Sequence, residues 1–116
     1  IKKKAEDTFY DPSVATKELV DELFDAVNDR NKALRIIITA KSAIRHNLED
    51  KLDQINCPTL LVWGKEDGVT PLFVGEKFNK LIKYSKLVVV EKCGHAPMME
   101  RPDKFNTILS EFLSSL

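Results

Sequence analysis

The 116-residue sequence predicts an α/β fold in its second half, preceded by helices. Two predicted strands, 59–63 and 86–91, contain the longest apolar runs, and an amphipathic helical pattern separates them. A clearer helical pattern follows the later strand. A strand, a helix and a further strand form a right-handed unit whose strands are parallel neighbours. The strand at 59–63 is apolar throughout, as expected of a parallel strand that is covered on both faces.

The first half of the chain is predicted to be helical. Thr16 is the predicted N-cap of one helix, and a second helix is predicted from about Asn31 to His46. Their apolar faces consist of Leu19, Val20, Leu23, Phe24 and Val27 in the first and Ala33, Ile37, Ala40 and Ile44 in the second. The run 36–38 consists of three isoleucines and resembles a strand, but its flanks lack turn residues, so the helix is favoured.

Prolines mark the elements of the second half. Pro58 opens the first strand, Pro71 is predicted at the first position of the connecting helix, and Pro102 starts the last helix. Polar loops are predicted at 64–70 and 92–101, one after each strand. The connecting helix is predicted to bury a stripe of Val74, Phe78, Leu81 and Ile82. The last helix has the clearest amphipathic period in the sequence, formed by Phe105, Ile108, Leu109, Phe112, Leu113 and Leu116.

Composition excludes several classes of partner. Lys and Arg total 18 and Asp and Glu total 18, so a zero net charge predicts no affinity for nucleic acid or for an anionic membrane. No apolar run approaches the roughly 18 residues that span a bilayer. Two cysteines are too few for a disulfide framework, which favours a reducing, cytoplasmic setting. Because the chain starts at Ile1 rather than at Met, a preceding segment is expected.

Asp67 and His95 are the candidate catalytic residues. Each lies in a loop that follows a predicted strand, and such loops open on one edge of a parallel sheet, where ligands bind in open α/β folds. Strands about 4.8 Å apart can bring the two side chains together. A carboxylate that accepts one ring N–H of a histidine fixes its tautomer, which leaves the other nitrogen to act as a base.

The surroundings of both residues resemble the α/β-hydrolase family. Residues 57–71, CPTLLVWGKEDGVTP, are similar to its P-x-L-x-x-W-G-x-x-D-x-x-x-P segment, which carries the triad acid. Residues 94–102, GHAPMMERP, resemble its G-H-x-x-x-x-E-x-P loop, which carries the triad histidine. The resemblance is best over 55–116.

The resemblance implies roles and a domain division. Asp67, and not the adjacent Glu66, would orient His95 as the general base, while Glu100 would be structural and Trp63 part of the core. Residues 1–46 would form the latter part of a helical cap, and residues 47–116 the C-terminal part of the hydrolase core. The chain is thus expected to be a C-terminal fragment of a small-molecule hydrolase, and no metal or organic cofactor is expected.

The sequence departs from the family pattern at the nucleophile. No pair of the four glycines brackets a serine as G-x-S-x-G, so the nucleophile is expected upstream of this chain, and the fragment alone is predicted to be inactive. Cys93 beside His95 is expected to be a semi-buried, inert thiol rather than a replacement nucleophile.

Several functional alternatives stay open. The parent would hydrolyse esters or related carbonyl compounds through a Ser-His-Asp triad, or epoxides or haloalkanes through an Asp nucleophile. A non-catalytic ligand-binding protein on the same scaffold is the alternative from another class. The isolated fragment is expected to self-associate, because two parallel strands alone leave open edges and apolar surface.

Overall fold

The computed structural model describes the backbone of residues 1–116 and every side chain except that at position 44. The first half is helical, as predicted. Its elements are α1 (Lys2–Glu6), a 3₁₀ turn (Pro12–Val14), α2 (Lys17–Asn28), α3 (Arg30–Arg45) and a second 3₁₀ turn (Glu49–Gln54).

The second half alternates strands and helices. Its elements are β1 (Thr59–Gly64), α4 (Leu72–Leu81), β2 (Ser85–Val90), α5 (Pro97–Glu100) and α6 (Pro102–Ser114). The strands β1 and β2 are parallel neighbours, in a register that pairs Thr59 with Ser85 and Gly64 with Val90. The predicted α/β fold with two parallel strands and a crossover helix is therefore confirmed.

The ends of the two long helices follow from capping side chains. Oγ1 of Thr16 accepts the N–H of Leu19 at 3.3 Å, so the predicted N-cap of α2 is confirmed. Oδ1 of Asp29 accepts two N–H groups in the first turn of α3, at 2.8 and 2.9 Å, which separates α2 from α3 by one residue. The isoleucines at 36–38 lie within α3, so the favoured helical interpretation is confirmed.

Two details of the predicted boundaries were wrong. Pro71 is extended (φ −56°, ψ 149°) and is the N-cap of α4 rather than its first helical residue. The predicted loop at 92–101 contains the short helix α5, in which Pro97 takes the first position. Four residues are too few to show a helical apolar period. The sequence signal for α5 was Pro97 alone, because the φ of proline suits the first position of a helix.

The core lies around the two strands. Helix α4 contacts both strands, and α5 and α6 contact β1. Ile82, Val90 and Cys93 are among the most buried residues, whereas most residues of β1 are only half-buried. Large apolar side chains of α2 and α3 are exposed, among them Phe24, Leu34, Ile36, Ile37 and Ile38. Over the residues that the structure describes, no helix has the length and apolar character needed to cross a membrane.

Candidate active site

The loops after β1 and β2 remain bonded beyond the ends of the strands. The N–H of Lys65 donates to the carbonyl of Val90 at 2.9 Å, and the N–H of Glu66 donates to the carbonyl of Cys93 at 3.1 Å. Gly64 makes this approach possible, because a Cβ there would overlap the carbonyl oxygens of Cys93 and Gly94. The two loops are therefore fixed relative to each other by backbone bonds.

This arrangement brings the two predicted site residues together. Nδ1 of His95 lies 2.9 Å from Oδ2 of Asp67. The side chain of Asp67 is 5% exposed and that of His95 is 42% exposed. Because a carboxylate can only accept, the bond places the proton on Nδ1 and leaves Nε2 of the neutral ring as an acceptor. A buried carboxylate thus holds a ring that is partly exposed to solvent.

The second oxygen of Asp67 stabilises its own loop. Oδ1 accepts the N–H groups of Val69 and Thr70 at 2.9 and 2.8 Å, which closes an Asx-type turn. The carbonyl of Thr70 in turn accepts the indole N–H of Trp63 at 2.8 Å. The ring of Trp63 meets that of Phe78 edge to face at 6.0 Å between centroids, so Trp63 packs in the core as expected and also holds the acid loop.

Glu66 has a structural part in the site that the sequence did not reveal. The motif assigns the acid role to Asp67, and the structure agrees that Glu66 does not reach His95. Instead, Oε2 of Glu66 accepts the N–H of Cys93 at 3.0 Å, across the two loops. No residue pattern indicated this bond, since it depends on how the loops face each other.

Cys93 has the properties of an inert thiol. It is fully buried, and burial, followed by the nearby Glu100 carboxylate, raises the pKa of the Cys93 thiol to about 11. A thiol with this pKa is protonated at neutral pH, and the thiolate is the nucleophilic form. The arrangement therefore does not favour Cys93 as a nucleophile.

The cavity beside His95 is small. It has a volume of about 130 Å³ and is lined in part by Trp63, Asp67, Thr70, His95 and Pro97. Small-molecule sites usually measure about 300–1,000 Å³. A larger cavity of about 490 Å³ lies elsewhere, between α1, the first 3₁₀ turn and α2. We place the candidate site at the smaller cavity because only that one contains the carboxylate–imidazole pair.

The described side chains form no candidate metal site. Apart from position 44, whose side chain the structure does not describe, no three or more His, Cys, Asp or Glu side chains are grouped to hold a metal ion.

Relatives with known names match most of the chain. It is 32% identical over 105 residues to monoacylglycerol lipase abhd6-B of Xenopus laevis. This alignment covers 90% of this chain and 31% of that protein. It is also 32% identical over 107 residues to a 2-hydroxy-6-oxononadienedioate/2-hydroxy-6-oxononatrienedioate hydrolase of Pseudomonas sp, with 90% of this chain and 38% of that protein covered. The chain thus spans about a third of the length of these relatives.

A solved structure agrees over both sequence and fold. It is MGS-MChE2, an alpha/beta hydrolase enzyme from the metagenome of lagoon sediments of Mar Chica, Morocco, at a TM-score of 0.78 and 46% identity, with 85% of this chain and 45% of that chain covered. A model of the alpha/beta hydrolase fold matches residues 10–102. On the strength of that match and of the shared fold, the chain belongs to the α/β-hydrolase fold family.

Proposed function

We propose that the longer protein that carries this chain, called the full-length protein below, hydrolyses small-molecule carboxylic esters. In this proposal Asp67 orients His95, and His95 is the general base for a serine outside this chain. The single observation that supports it most is the 2.9 Å bond between Nδ1 of His95 and the buried carboxylate of Asp67. Residues 1–46 are the latter part of a cap, and residues 47–116 are the C-terminal part of the core.

The reaction follows from this geometry. Nε2 of His95 takes the proton of the serine hydroxyl as its oxygen attacks the ester carbonyl, and Asp67 stabilises the imidazolium that forms. The imidazolium then gives its proton to the departing alcohol, which leaves an acyl-enzyme. Water, deprotonated by His95, then attacks the acyl-enzyme, and the imidazolium returns that proton to the serine oxygen as the carboxylic acid leaves. Each step uses His95 and Asp67 in the positions described above.

Cleavage of a carbon–carbon bond next to a carbonyl group is the second candidate. It is favoured by the similarity to the 2-hydroxy-6-oxononadienedioate hydrolase, whose named substrates carry a ketone group and no ester bond. Both reactions can use the same base. The alternative with an Asp nucleophile and the non-catalytic binding protein remain hypotheses, as does the cytoplasmic location.

The proposal is tested by substitutions at the two residues. In the full-length protein, His95→Ala and Asp67→Asn should each lower kcat for p-nitrophenyl esters by about 10³–10⁴-fold, because the serine loses its base or the base loses its correct tautomer. A parallel assay with a ring-fission-type diketo acid tests the second candidate.

Two matched controls carry the same chemical changes at exposed positions. His46→Ala and Glu91→Gln should leave kcat within about twofold, because His46 ends helix α3 and Glu91 forms an exposed ion pair with Lys65. Turnover that survives His95→Ala would refute the assignment of the base. Absence of hydrolysis by wild type on both substrate classes, together with no labelling by a fluorophosphonate serine probe, would favour the alternatives. The 116-residue chain alone should hydrolyse none of these substrates.

A further inference from the structure

The backbone around His95 is held by four hydrogen bonds outside the strand and helix ladders. The four consecutive N–H groups of residues 93–96 each donate to an oxygen, and the acceptors on Glu66 and Thr8 are distant in the sequence. Their bonds are Cys93 to Oε2 of Glu66 at 3.0 Å, Gly94 to Oε1 of Glu100 at 2.8 Å, His95 to the carbonyl of Thr8 at 2.9 Å, and Ala96 to Oε1 of Glu100 at 3.4 Å. Glu100 supplies two of the four acceptors.

The carboxylate of Glu100 also reaches the N-terminal segment. The residue is buried, at 9% exposure, and Oε2 accepts the N–H of Tyr10 at 2.8 Å, while Oε1 accepts that of Gly94. Burial of a carboxylate is costly unless its oxygens are hydrogen-bonded, and here each oxygen has a backbone donor. Glu100 therefore connects two backbone segments that are far apart in the sequence.

Close packing reinforces this connection. A Cβ added at Gly94 would lie 2.7 Å from the carbonyl oxygen of Thr8 and 2.8 Å from the nitrogen of Tyr10. The segment 8–10 is thus in direct contact with the peptide that precedes His95. Together with the bond from His95 to Thr8, this leaves the His95 backbone little freedom to shift.

We propose that Glu100 is a positioning residue for the base. Its carboxylate holds the Cys93–Gly94 and His95–Ala96 peptides through the N–H groups of Gly94 and Ala96. It thereby fixes the direction in which the imidazole leaves the backbone, so that Nδ1 stays within hydrogen-bond distance of Asp67. It couples this alignment to segment 8–10, which leads through the first 3₁₀ turn into helix α2. The inference deepens the proposed function and rests on it for the catalytic consequence. Misplacement of a catalytic group by about 1 Å can cost about 10²-fold in rate.

The test is Glu100→Gln in the full-length protein. Glutamine keeps the shape of the side chain but replaces one accepting oxygen by an NH₂ group, so either Gly94 or Tyr10 loses its acceptor. We expect kcat for a p-nitrophenyl ester to fall by about 10–100-fold, with KM changed by less than about threefold, because alignment rather than substrate binding is affected. The proton NMR signal of the His95 Nδ1–H, identified by its loss in His95→Ala, should broaden or move.

Controls separate positioning from simple destabilisation. Glu91→Gln makes the same chemical change at an exposed pair. Ile82→Val opens a small defect at a buried site, 3% exposed, at the end of helix α4. This site precedes β2, whereas the His95 loop follows it. Both should leave the His95 signal and kcat unchanged, even where Ile82→Val lowers the melting temperature.

The outcomes are distinguishable. If Glu100→Gln lowers the melting temperature and leaves both kcat and the His95 signal as in wild type, Glu100 is structural only and the inference is overturned. If wild type hydrolyses nothing but the His95 signal changes in Glu100→Gln, the proposed function fails and the positioning role stands. Should Glu100→Gln not fold, Glu100→Asp, which keeps both oxygens but shortens their reach, is judged by the same two measurements.

Discussion

At the scale of single residues, Asp67 shows how one side chain can serve both structure and chemistry. One oxygen closes the loop after β1 by accepting the N–H groups of Val69 and Thr70, and the other accepts from His95. Substitutions at this position can separate the two tasks, because an amide retains one accepting oxygen.

We expect Asp67→Asn and Asp67→Ala to lose activity alike but to differ in stability. Asparagine can keep its oxygen on the two loop N–H groups, which turns its NH₂ toward His95 and disfavours the useful tautomer. Alanine leaves both N–H groups without that acceptor, at a cost of about 1–3 kcal/mol. Chemical denaturation of the two full-length variants measures the difference. Equal losses of stability in the two variants would contradict the separate roles of Oδ1 in the loop and Oδ2 toward His95.

The proximity of Asp67 and His95 and a structural role for Glu100 could be predicted from sequence, whereas the support from segment 8–10 could not. Two strands joined by a helix are parallel neighbours, so residues that follow the strands share an edge wherever the strands end. No such rule applies to segment 8–10. Its contact with Gly94 joins parts of the chain more than eighty residues apart, and neither part has a periodic pattern. The glycine before His95 was the only signal, and it indicates close approach without naming the partner.

At the scale of elements, helix α4 shows a local preference that packing overrides. Gly75 lies inside this helix, where glycine is unfavourable by about 1 kcal/mol relative to alanine. A Cβ at Gly75 would lie 2.7 Å from Cδ2 of Trp63. The indole is held in place by its bond to the carbonyl of Thr70, so the ring cannot simply move away.

We therefore expect Gly75→Ala to destabilise the protein. Overpacking in a core costs about 1–3 kcal/mol, which exceeds the gain in helix propensity, so the net loss should be about 1–2 kcal/mol. Gly68→Ala is the matched control, because a Cβ there meets only a carbonyl oxygen at 4.0 Å and the backbone does not have positive φ. Thermal unfolding of both full-length variants provides the comparison. A stabilised Gly75→Ala variant would show that the ring of Trp63 moves to accept the added methyl group.

At the scale of the whole molecule, exposed apolar surface is the main feature of the chain taken alone. The two-stranded sheet has an open edge on each side, and the side chains of β1 are only half-buried. The described side chains of α2 and α3 include large apolar residues that are each more than half exposed, namely Phe24, Leu34, Ile37 and Ile38. Monomers rarely expose contiguous apolar patches of large area.

We expect the isolated 116-residue chain to self-associate. Strand edges pair readily with those of another copy, and the apolar helix faces lose contact with water in the process. Size-exclusion chromatography with light scattering should show dimers or larger species whose population rises with concentration. A single monomeric species at about 0.1 mM would contradict the expectation.

The close packing of Thr8 to Tyr10 against Gly94 has a consequence for protein engineering. Libraries that aim to change substrate preference by varying residues 1–46, the proposed cap segment, would normally randomise a continuous stretch of it. Under the proposed function such a library should begin at Asp11, because substitutions that shift the backbone at 8–10 would also shift the peptide of His95 and lower turnover for every substrate alike. Substitutions after that point leave this backbone contact unchanged, so under the same proposal they should change substrate preference without a general loss of turnover.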